Sequence, residues 1–287
     1  MNLVVGSTGL LGGVITRLLL TKGAPVRVLA RSGTTQIDGA EAVQGDLKDR
    51  ASLDAACAGI TTVITTANSA QRGGEDNVST VDDQGNIALI DAAAKAGVHH
   101  FIFISAAGAD ESSPVPLFAA KARAERHLRD SGMKWTIVAP HVFMDVWFPM
   151  IVGSALAAQQ PIPLVGGGRR RHSFIAVGDV AAFAAASIDN PAALDQRLTI
   201  GGPAALSWRD VVDQTGAILH TDLPTVTIEP GSPIPTLPPP IDEVIGQLAA
   251  GLEMQDVILD TAVLAETFGV TLTTADTVLR EMLQRQQ

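Results

Sequence analysis

The sequence predicts an α/β fold, in which a doubly wound parallel sheet carries helices on both faces and a smaller C-terminal α+β lobe completes the molecule. Short apolar runs alternate with stretches whose apolar residues recur at helical spacing, a pattern typical of parallel strands joined by right-handed crossovers. A glycine-rich turn joins the first run to the first helical stretch. Hydrophobic residues make up 46% of the 287 residues, enough for the core of one large domain or of a domain and a lobe.

The first element, MNLVVGSTGLLG, reads as a strand, a glycine turn and the start of a helix that continues to about residue 22. In such a unit the first glycine permits the tight turn, the second lets a pyrophosphate approach the backbone, and the third lets helix and strand pack closely. The free N–H groups and the dipole of the helix N-terminus then bind phosphates. We therefore predict a dinucleotide site here, against the alternative of a merely structural turn. Its residues are Gly6, Ser7, Thr8, Gly9, Leu10, Leu11 and Gly12.

The end of the second strand, residues 25–31, bears on cofactor preference. A site for NAD usually places an acid about 20 residues after the glycine turn, where it accepts a hydrogen bond from the ribose 2′-OH. No acid occurs between Lys22 and Asp38, and Arg31 stands at the strand end. A guanidinium suits a 2′-phosphate. We therefore favour NADP(H) over NAD(H), which stays possible; the alternative is that Arg31 is a solvated charge.

Two further strand ends are expected beside the cofactor. The third strand ends at residues 45–47, GDL, where Asp46 could accept a hydrogen bond from the exocyclic amine of adenine. The fourth, residues 61–69, ends in small polar residues that would let ribose and phosphates lie across the sheet edge. The predicted contacts are Asp46, Leu47, Thr66, Ala67 and Asn68. The other elements predicted in this half are helices at 52–58 and 80–96, a loop at 71–79 and a fifth strand at 99–105.

Together these motifs resemble those of the atypical short-chain dehydrogenases, and within them the NmrA-like NAD(P)-binding proteins. The resemblance rests on GSTGLLG, Arg31, GDL and the strand ending in Ser105, and it continues to about Val212 through PLFAAKARAERHLRDSG, TIVAPHVFMDVW, FIAVGDVA and LTIGGPAALSWRDVV. It implies a Rossmann-type domain over residues 1–140 and a substrate-binding lobe over 141–287, with elements around 173–201 returning to the first domain. The family includes quinone, azo-dye, triphenylmethane and isoflavone-type reductases, and also cofactor-sensing regulators without catalysis.

The sequence departs from the short-chain dehydrogenase pattern at the catalytic tyrosine. The family typically carries Tyr-x-x-x-Lys on the helix after the fifth strand, where the lysine lowers the phenol pKa and holds the nicotinamide ribose. Lys121 matches the lysine, but Leu117 stands four residues earlier and the chain contains no tyrosine. Lys121 and Ser105 are therefore the candidate catalytic residues in this half. The alternatives are a helix-surface lysine and a serine that serves only a local turn.

The segment after the sixth strand, residues 134–139, supplies the remaining candidates. In the family this segment passes near the nicotinamide and leads into the substrate lobe, which implies cofactor contacts by Pro140 and Phe143. His141 is a candidate donor to substrate or to the carboxamide, and packing at a turn is the alternative. An aromatic cluster in a chain with 4% aromatics favours an apolar pocket wall over core packing. The predicted substrate contacts are Phe143, Met144, Trp147, Phe148 and His172.

Later segments are assigned structural roles. Residues 161–177 read as two short strands around a glycine turn, with three arginines at 169–171 as a solvated tip or an anion-attracting rim. Gly178 and Asp179 are predicted to cap a helix over residues 180–188, and Ser207 with Asp210 resembles a capping box. Residues 224–244 are proline-rich and read as a connection or a lid, and the C-terminal segments, through 279–287, as amphipathic helices.

Bulk properties narrow the partners and the compartment. The net charge of −10 argues against nucleic acid and anionic membrane as partners. The single cysteine, Cys57, suits a reducing cytoplasm, and apolar runs are too short to cross a bilayer. No metal-ligand cluster is recognisable. We expect a cytoplasmic protein, monomeric or homodimeric, that binds a small aromatic substrate and no metal.

The leading functional hypothesis is an NADP(H)-dependent reductase of a bulky aromatic or quinone-like acceptor. Hydride transfer to such a conjugated acceptor yields a delocalised anion and needs little help from a general acid, so the missing tyrosine favours it over reduction of simple ketones. One alternative is a non-catalytic NAD(P)-sensing regulator. Another is a tailoring enzyme of polycyclic aromatic metabolites, including a cofactor-supported oxygenation, for which the excess of arginine over lysine offers only a compositional hint of secondary metabolism.

Overall fold

The fold was analysed in a computed structural model that describes residues 1–31, 37–69 and 73–285. These residues form two compact units. The first unit comprises Met1–Pro140, Val177–Ile200 and Val263–Thr271, and the second comprises His141–Ala176, Gly201–Ala262 and Leu272–Gln287.

The strands and helices are numbered in chain order. The strands are β1 (Asn2–Val5), β2 (Val26–Ala30), β3 (Glu41–Gln44), β4 (Thr62–Thr65), β5 (His100–Ile104), β6 (Lys134–Pro140), β7 (Ile162–Val165), β8 (Gln196–Ile200) and β9 (Thr225–Ile228). The α-helices are α1 (Leu10–Thr21), α2 (Arg50–Cys57), α3 (Gln84–Lys95), α4 (Pro116–Asp130), α5 (Met144–Phe148), α6 (Ser154–Ala157), α7 (Val177–Ala186), α8 (Trp208–Leu219), α9 (Ile241–Leu252), α10 (Ala262–Phe268) and α11 (Ala275–Arg285). Short π-helical turns lie at Val78–Asp83 and Pro149–Gly153, and a 3-10 turn lies at Pro191–Ala193.

The first unit is built on a parallel sheet. Within the described ranges its strand order is β3-β2-β1-β4-β5-β6-β8, and Val4 lies in register between Val28 and Ile64. All residues of β1, β4 and β5 are buried, as expected for strands covered by helices on both faces. From β1 the chain adds β2 and β3 on one side and then crosses back to add β4 on the other side of β1. A crevice therefore opens at the carboxyl ends of β1 and β4, where the connections after these two strands run in opposite directions. The predicted doubly wound α/β fold is confirmed.

The second unit packs several helices around a short parallel pair of strands, β7 and β9. Its core contains three aromatic rings in edge-to-face contact: Phe174 lies 5.4 Å from Phe148 and 5.2 Å from Trp208, measured between ring centroids. Met144 and Val211 also lie in this core.

Two predictions about local structure in the second half are wrong. Residues 161–177 do not form a hairpin: only Ile162–Val165 is a strand, and it pairs with Thr225–Ile228, because the glycines at 166–168 all have positive φ and turn the chain away. The proline-rich stretch therefore contains a strand. Helix α7 begins at Val177, so Asp179 lies in its first turn and not at its cap.

The predicted capping box of α8 is confirmed. Ser207 Oγ accepts a hydrogen bond from the Asp210 N–H at 3.1 Å, and Asp210 Oδ2 accepts one from the Ser207 N–H at 2.8 Å. The predicted helix over 80–96 begins instead as the π-helical turn Val78–Asp83. Residues 71 and 72 of the predicted loop, and 286 and 287 of the last segment, lie outside the described residues. Among the helices that are described, none is both long and apolar enough to cross a membrane.

Candidate functional site

The glycine turn between β1 and α1 has the geometry of a phosphate cradle. Gly6 has a φ of +89°, and a Cβ there would lie 2.5 Å from Thr66 Oγ1. A Cβ on Gly12 would overlap the Gly6 carbonyl oxygen, so this glycine allows α1 to begin directly against the strand. No described side chain caps the helix at Gly9. Because the first N–H groups of a helix have no partner within it, they are available to a ligand phosphate.

The end of β4 supports this turn. Thr66 is buried, its N–H donates to the Val5 carbonyl at 2.9 Å, and its hydroxyl lies 3.3 Å from the same oxygen. Ala67 is 4% exposed, whereas Asn68 is exposed and its side chain donates to the Thr66 carbonyl. The Thr66 side chain thus packs against the glycine turn and supports its conformation.

A crevice open to solvent runs from the glycine turn across the ends of β2 and β3. It brings together the predicted cofactor residues Gly6, Thr8, Arg31, Asp46, Leu47 and Ala67 and adds Val5, Leu29, Gly45, Asp76 and Val81. The apolar side chains offer a surface for adenine. Sequence reasoning missed Asp76, because it lies 45 residues from Arg31 and carries no local motif.

Charged groups at one end of this crevice pair with one another. Asp76 accepts from Arg31 Nη1 at 2.8 Å and from Lys48 Nζ at 2.7 Å. The hydrogen bond to Asp76 raises the pKa of Lys48. The Asp46 carboxylate accepts from the Lys48 N–H at 2.9 Å, so it also shapes the turn after β3.

Lys121, on α4, is buried between the ends of β4 and β5. Its Nζ donates to the Ile104 carbonyl at 3.0 Å and to the Ala67 carbonyl at 3.5 Å, and it lies 4.9 Å from the centroid of the Phe103 ring. Burial lowers the pKa of this ammonium, and the negative charges of Asp82 and Glu125 oppose that effect. With 6% of its surface exposed, Lys121 is not a helix-surface residue, and that alternative reading is wrong.

Ser105 belongs to a buried charge network. Its hydroxyl donates to Glu125 Oε1 at 2.5 Å, and Glu125 Oε2 accepts from Arg129 at 2.8 Å and Arg197 at 3.0 Å. Arg197 also donates to the Ala106 carbonyl. Since a serine hydroxyl has one proton, Ser105 can accept a hydrogen bond from a ligand but does not donate one while this contact holds.

Asp82 is a second buried carboxylate that the sequence did not reveal. It lies in the π-helical turn before α3 and is 0% exposed. Its Oδ2 accepts from the N–H and the hydroxyl of Ser69 at 3.0 and 2.6 Å, while its Oδ1 has no hydrogen-bond partner among the described residues. The charge of Asp82 acts on Lys121.

In the second unit, His141 and His172 form a pair. His141 Nε2 lies 3.2 Å from His172 Nδ1, and His172 Nε2 lies 2.9 Å from the Leu252 carbonyl. A carbonyl only accepts, so His172 carries its proton on Nε2 and His141 donates from Nε2. Burial, assisted by His172, lowers the pKa of His141 to about 4, and burial lowers that of His172. His141 therefore offers a ligand its Nδ1 lone pair, which accepts, and the predicted donor role does not fit this tautomer.

The other candidates of the second unit separate by burial. Met144 and Phe148 are 1% and 0% exposed and pack in the core, so they are not on a pocket surface as predicted. His172 is 1% exposed and held by the backbone, which corrects its assignment as a substrate contact. Phe143 and Trp147 are half-buried. The arginines at 169–171 are exposed, with Arg170 near Asp256 and Arg171 bonded to the Ala205 carbonyl.

Four other predicted cofactor contacts lie near the start of α1 and at the end of β6. Ser7 is buried, Leu10 is exposed and Leu11 is half-buried at the start of α1. Pro140 ends β6, and its carbonyl accepts from the Ala107 N–H. Within the described ranges, no group of three or more histidine, cysteine, aspartate or glutamate side chains could hold a metal ion.

Comparisons with known proteins identify the family of the chain. The family model described as NAD(P)H-binding matches residues 6–191. The NAD(P)H azoreductase of Xenophilus azovorans is 31% identical over 217 residues, 74% of this chain and 71% of that one. The photosystem II assembly factor Ycf39 of Trieres chinensis is 31% identical over 205 residues, 70% of this chain and 63% of that one.

Among solved structures, the NADPH-dependent quinone oxidoreductase of Escherichia coli complexed with NADPH has the same fold, with a TM-score of 0.82 at 18% identity, covering 99% of this chain and 100% of that one. The chain therefore belongs to the NAD(P)H-binding family, and the prediction of an NAD(P)-dependent oxidoreductase is confirmed.

Proposed function

We propose that this protein reduces a conjugated aromatic or quinone-like acceptor with NADPH as the favoured hydride donor and without a catalytic tyrosine. One observation carries the proposal: the two polar side chains predicted as catalytic in the first half of the chain are both bonded to the protein itself. Ser105 donates its only hydroxyl proton to Glu125, and Lys121 donates to the Ile104 and Ala67 carbonyls. The chain has no tyrosine.

This arrangement suits an acceptor that needs no acid. When bound, the nicotinamide supplies a hydride from its C4, and the acceptor takes both electrons of that bond. In a quinone, an azo dye or a cationic dye the resulting charge is delocalised or neutralised, so water can deliver any proton required. A simple ketone would develop a localised alkoxide, for which a positioned acid contributes roughly 10²–10⁴-fold.

Individual residues have the following roles in binding the cofactor and the substrate. The N–H groups at the start of α1 bind the pyrophosphate, and Arg31 binds the 2′-phosphate. Lys121 has a third N–H beyond its two carbonyl contacts, which serves the nicotinamide ribose. In the second unit, His141, Phe143 and Trp147 keep exposed surface and supply substrate contacts. The azoreductase relative acts on a conjugated compound by its name, which supports this substrate class.

Anaerobic stopped-flow oxidation of NADPH tests the proposal with a benzoquinone, an azo dye, a triphenylmethane dye and a simple aryl ketone. We expect the conjugated acceptors to react at least about 100-fold faster than the ketone, the lower bound of a general acid's contribution. The Asp195→Asn variant, which removes a surface ion pair to Lys134, serves as the control with unchanged rates. Equal rates for ketone and quinone, or no enzyme-dependent oxidation by any conjugated acceptor, would contradict the proposal.

The assembly-factor relative favours a second candidate, a cofactor-binding protein that supports assembly of other proteins without turnover. That relative has the same 31% identity as the azoreductase, over 70% of this chain against 74%. This candidate predicts tight NADPH binding by calorimetry with no acceptor-dependent oxidation. Turnover with any acceptor of the panel discards it.

A further inference from the structure

Asp76 lies between two cations at the cofactor crevice. One carboxylate oxygen, Oδ2, accepts from Arg31 at 2.8 Å, and the other, Oδ1, accepts from Lys48 at 2.7 Å. The Asp76 side chain is 11% exposed, whereas those of Arg31 and Lys48 are 46% and 33% exposed. Arg31 and Asp76 both line the crevice that begins at the glycine turn.

The crevice indicates which part of a dinucleotide meets this triad. The glycine turn takes the pyrophosphate, and the ends of β2 and β3, with Leu29 and Leu47, form the apolar surface for adenine. The adenosine ribose joins these two groups. Its 2′-position therefore lies beside the end of β2, where Arg31 stands. Here NADH carries a hydroxyl and NADPH a phosphate.

The two forms need opposite partners. A 2′-phosphate needs cations, and a guanidinium with an ammonium provides them. A 2′-hydroxyl needs an acceptor, which is usually an acid about 20 residues after the glycine turn. No acid occurs between Lys22 and Asp38. Asp76 supplies a carboxylate at this place from a different part of the chain, and it also occupies the cations that a phosphate would use.

We propose that Asp76 sets the balance between NADPH and NADH. With NADH, the carboxylate stays between Arg31 and Lys48 and accepts a hydrogen bond from the 2′-hydroxyl. With NADPH, the 2′-phosphate takes its place on both cations, so binding of NADPH must displace a carboxylate already paired with them. Lys48 is thereby a second phosphate ligand beside Arg31.

Calorimetric titration with NADPH and NADH, and with adenosine 2′,5′-bisphosphate and 5′-AMP as fragments, tests this inference. In Asp76→Asn we expect NADPH and the bisphosphate to bind about tenfold more tightly, because the competing charge is gone, and NADH to bind a few-fold more weakly, because an amide oxygen is a poorer acceptor. In Lys48→Met we expect about tenfold weaker binding of NADPH alone. Both changes in NADPH affinity, the gain in Asp76→Asn and the loss in Lys48→Met, should be smaller at high salt.

Asp195→Asn is the matched control, since it removes a carboxylate paired with a lysine at the opposite, amino-terminal ends of β6 and β8. An NADPH-to-NADH ratio in Asp76→Asn equal to that of the control overturns the inference. Weaker binding of both cofactors also overturns it, because Asp76 would then only hold the loop in place. Lys48→Met decides the matter if Asp76→Asn unfolds early. No acceptor enters these titrations, so the result is independent of the reductase activity proposed above.

Discussion

The Ser105 hydroxyl lies 2.5 Å from Glu125 Oε1, and Glu125 is itself bonded by Arg129 and Arg197. Ser105 is predicted as a candidate catalytic residue at the end of β5, but here its proton is engaged in a buried network. Because of this contact, Ser105 can only accept a hydrogen bond from a ligand. The buried hydrogen bond between Ser105 and Glu125 also contributes more to stability than one made by a surface hydroxyl.

Replacing Ser105 by alanine separates the two roles. The change leaves a buried carboxylate oxygen without its donor, so we expect the free energy of unfolding to fall by about 1–3 kcal/mol. Turnover of a quinone should change less than about threefold, because the proposed transfer needs no acid. Urea unfolding and steady-state kinetics measure the two effects. Ser187→Ala, which removes a buried hydroxyl that donates to the Phe183 carbonyl just after the end of α7, is the control. A loss of turnover of 100-fold or more in Ser105→Ala alone would assign the hydroxyl a catalytic role.

Lys121 provides a prediction on alkaline pH. Burial lowers its pKa below the ordinary value of 10.5 that it regains on unfolding. Between these two pKa values the unfolded chain binds more protons, so the contribution of Lys121 to stability rises with pH. We expect the stability of the wild type relative to Lys121→Met to increase as the pH approaches 10.5. Parallel denaturation series of both proteins measure the difference. A difference that is flat or falls with pH would contradict the predicted burial.

The glycine turn and Asp76 show how much of the candidate site could be predicted from the sequence. The turn was predictable because its three glycines, the strand before them and the helix after them are contiguous. The backbone conformation of this turn is therefore determined by residues that are close together in the sequence. Asp76 was not predictable as a site residue, because its partner Arg31 follows β2 and only the sheet order brings the two together. Asp82 was not predictable because no motif links it to its partner Ser69, 13 residues earlier in the connection between β4 and α3.

The false hairpin at residues 161–177 has a similar origin. The pattern of apolar runs around GGG fits a hairpin turn, but β7 finds a parallel partner about 60 residues later in β9. A strand's partner is a tertiary property, and nothing in the run itself distinguishes the two outcomes. The aromatic cluster shows the same limit: Phe148 and Trp147 are adjacent, yet only Phe148 is fully buried.

The histidine pair predicts loss of stability at mildly acidic pH. The pKa of His141 falls from 6.5 to about 4 on folding, so between these values the unfolded state binds the extra proton and stability decreases as the pH is lowered. Each pKa unit corresponds to about 1.4 kcal/mol, which makes a loss of about 2–3 kcal/mol by pH 4 an upper bound for this residue. His141→Gln should lose less stability than the wild type between pH 7 and pH 4.5, measured by urea unfolding. Exposed His220, replaced by asparagine, is the control. Equal slopes in all three proteins would exclude the pair as the source.

Gly12 and Gly13 make a matched test of the phosphate cradle, because both are buried neighbours in the first turns of α1. A Cβ on Gly12 overlaps the Gly6 carbonyl oxygen and would lie 2.7 Å from Thr66 Oγ1, so helix and turn must separate. A Cβ on Gly13 meets the Ser7 carbonyl oxygen at 3.3 Å and the flexible end of Arg17 at 3.4 Å, which small shifts can relieve. We expect Gly12→Ala to lower the free energy of unfolding by about 1–3 kcal/mol and to weaken NADPH binding more than tenfold, since overpacking displaces the N–H groups proposed to bind the phosphates. Gly13→Ala should stay within about 1 kcal/mol of the wild type, because alanine's helix propensity offsets the contact. Calorimetric titration and urea unfolding of both variants decide the point: equal NADPH affinity in the two would mean that the turn does not hold the pyrophosphate.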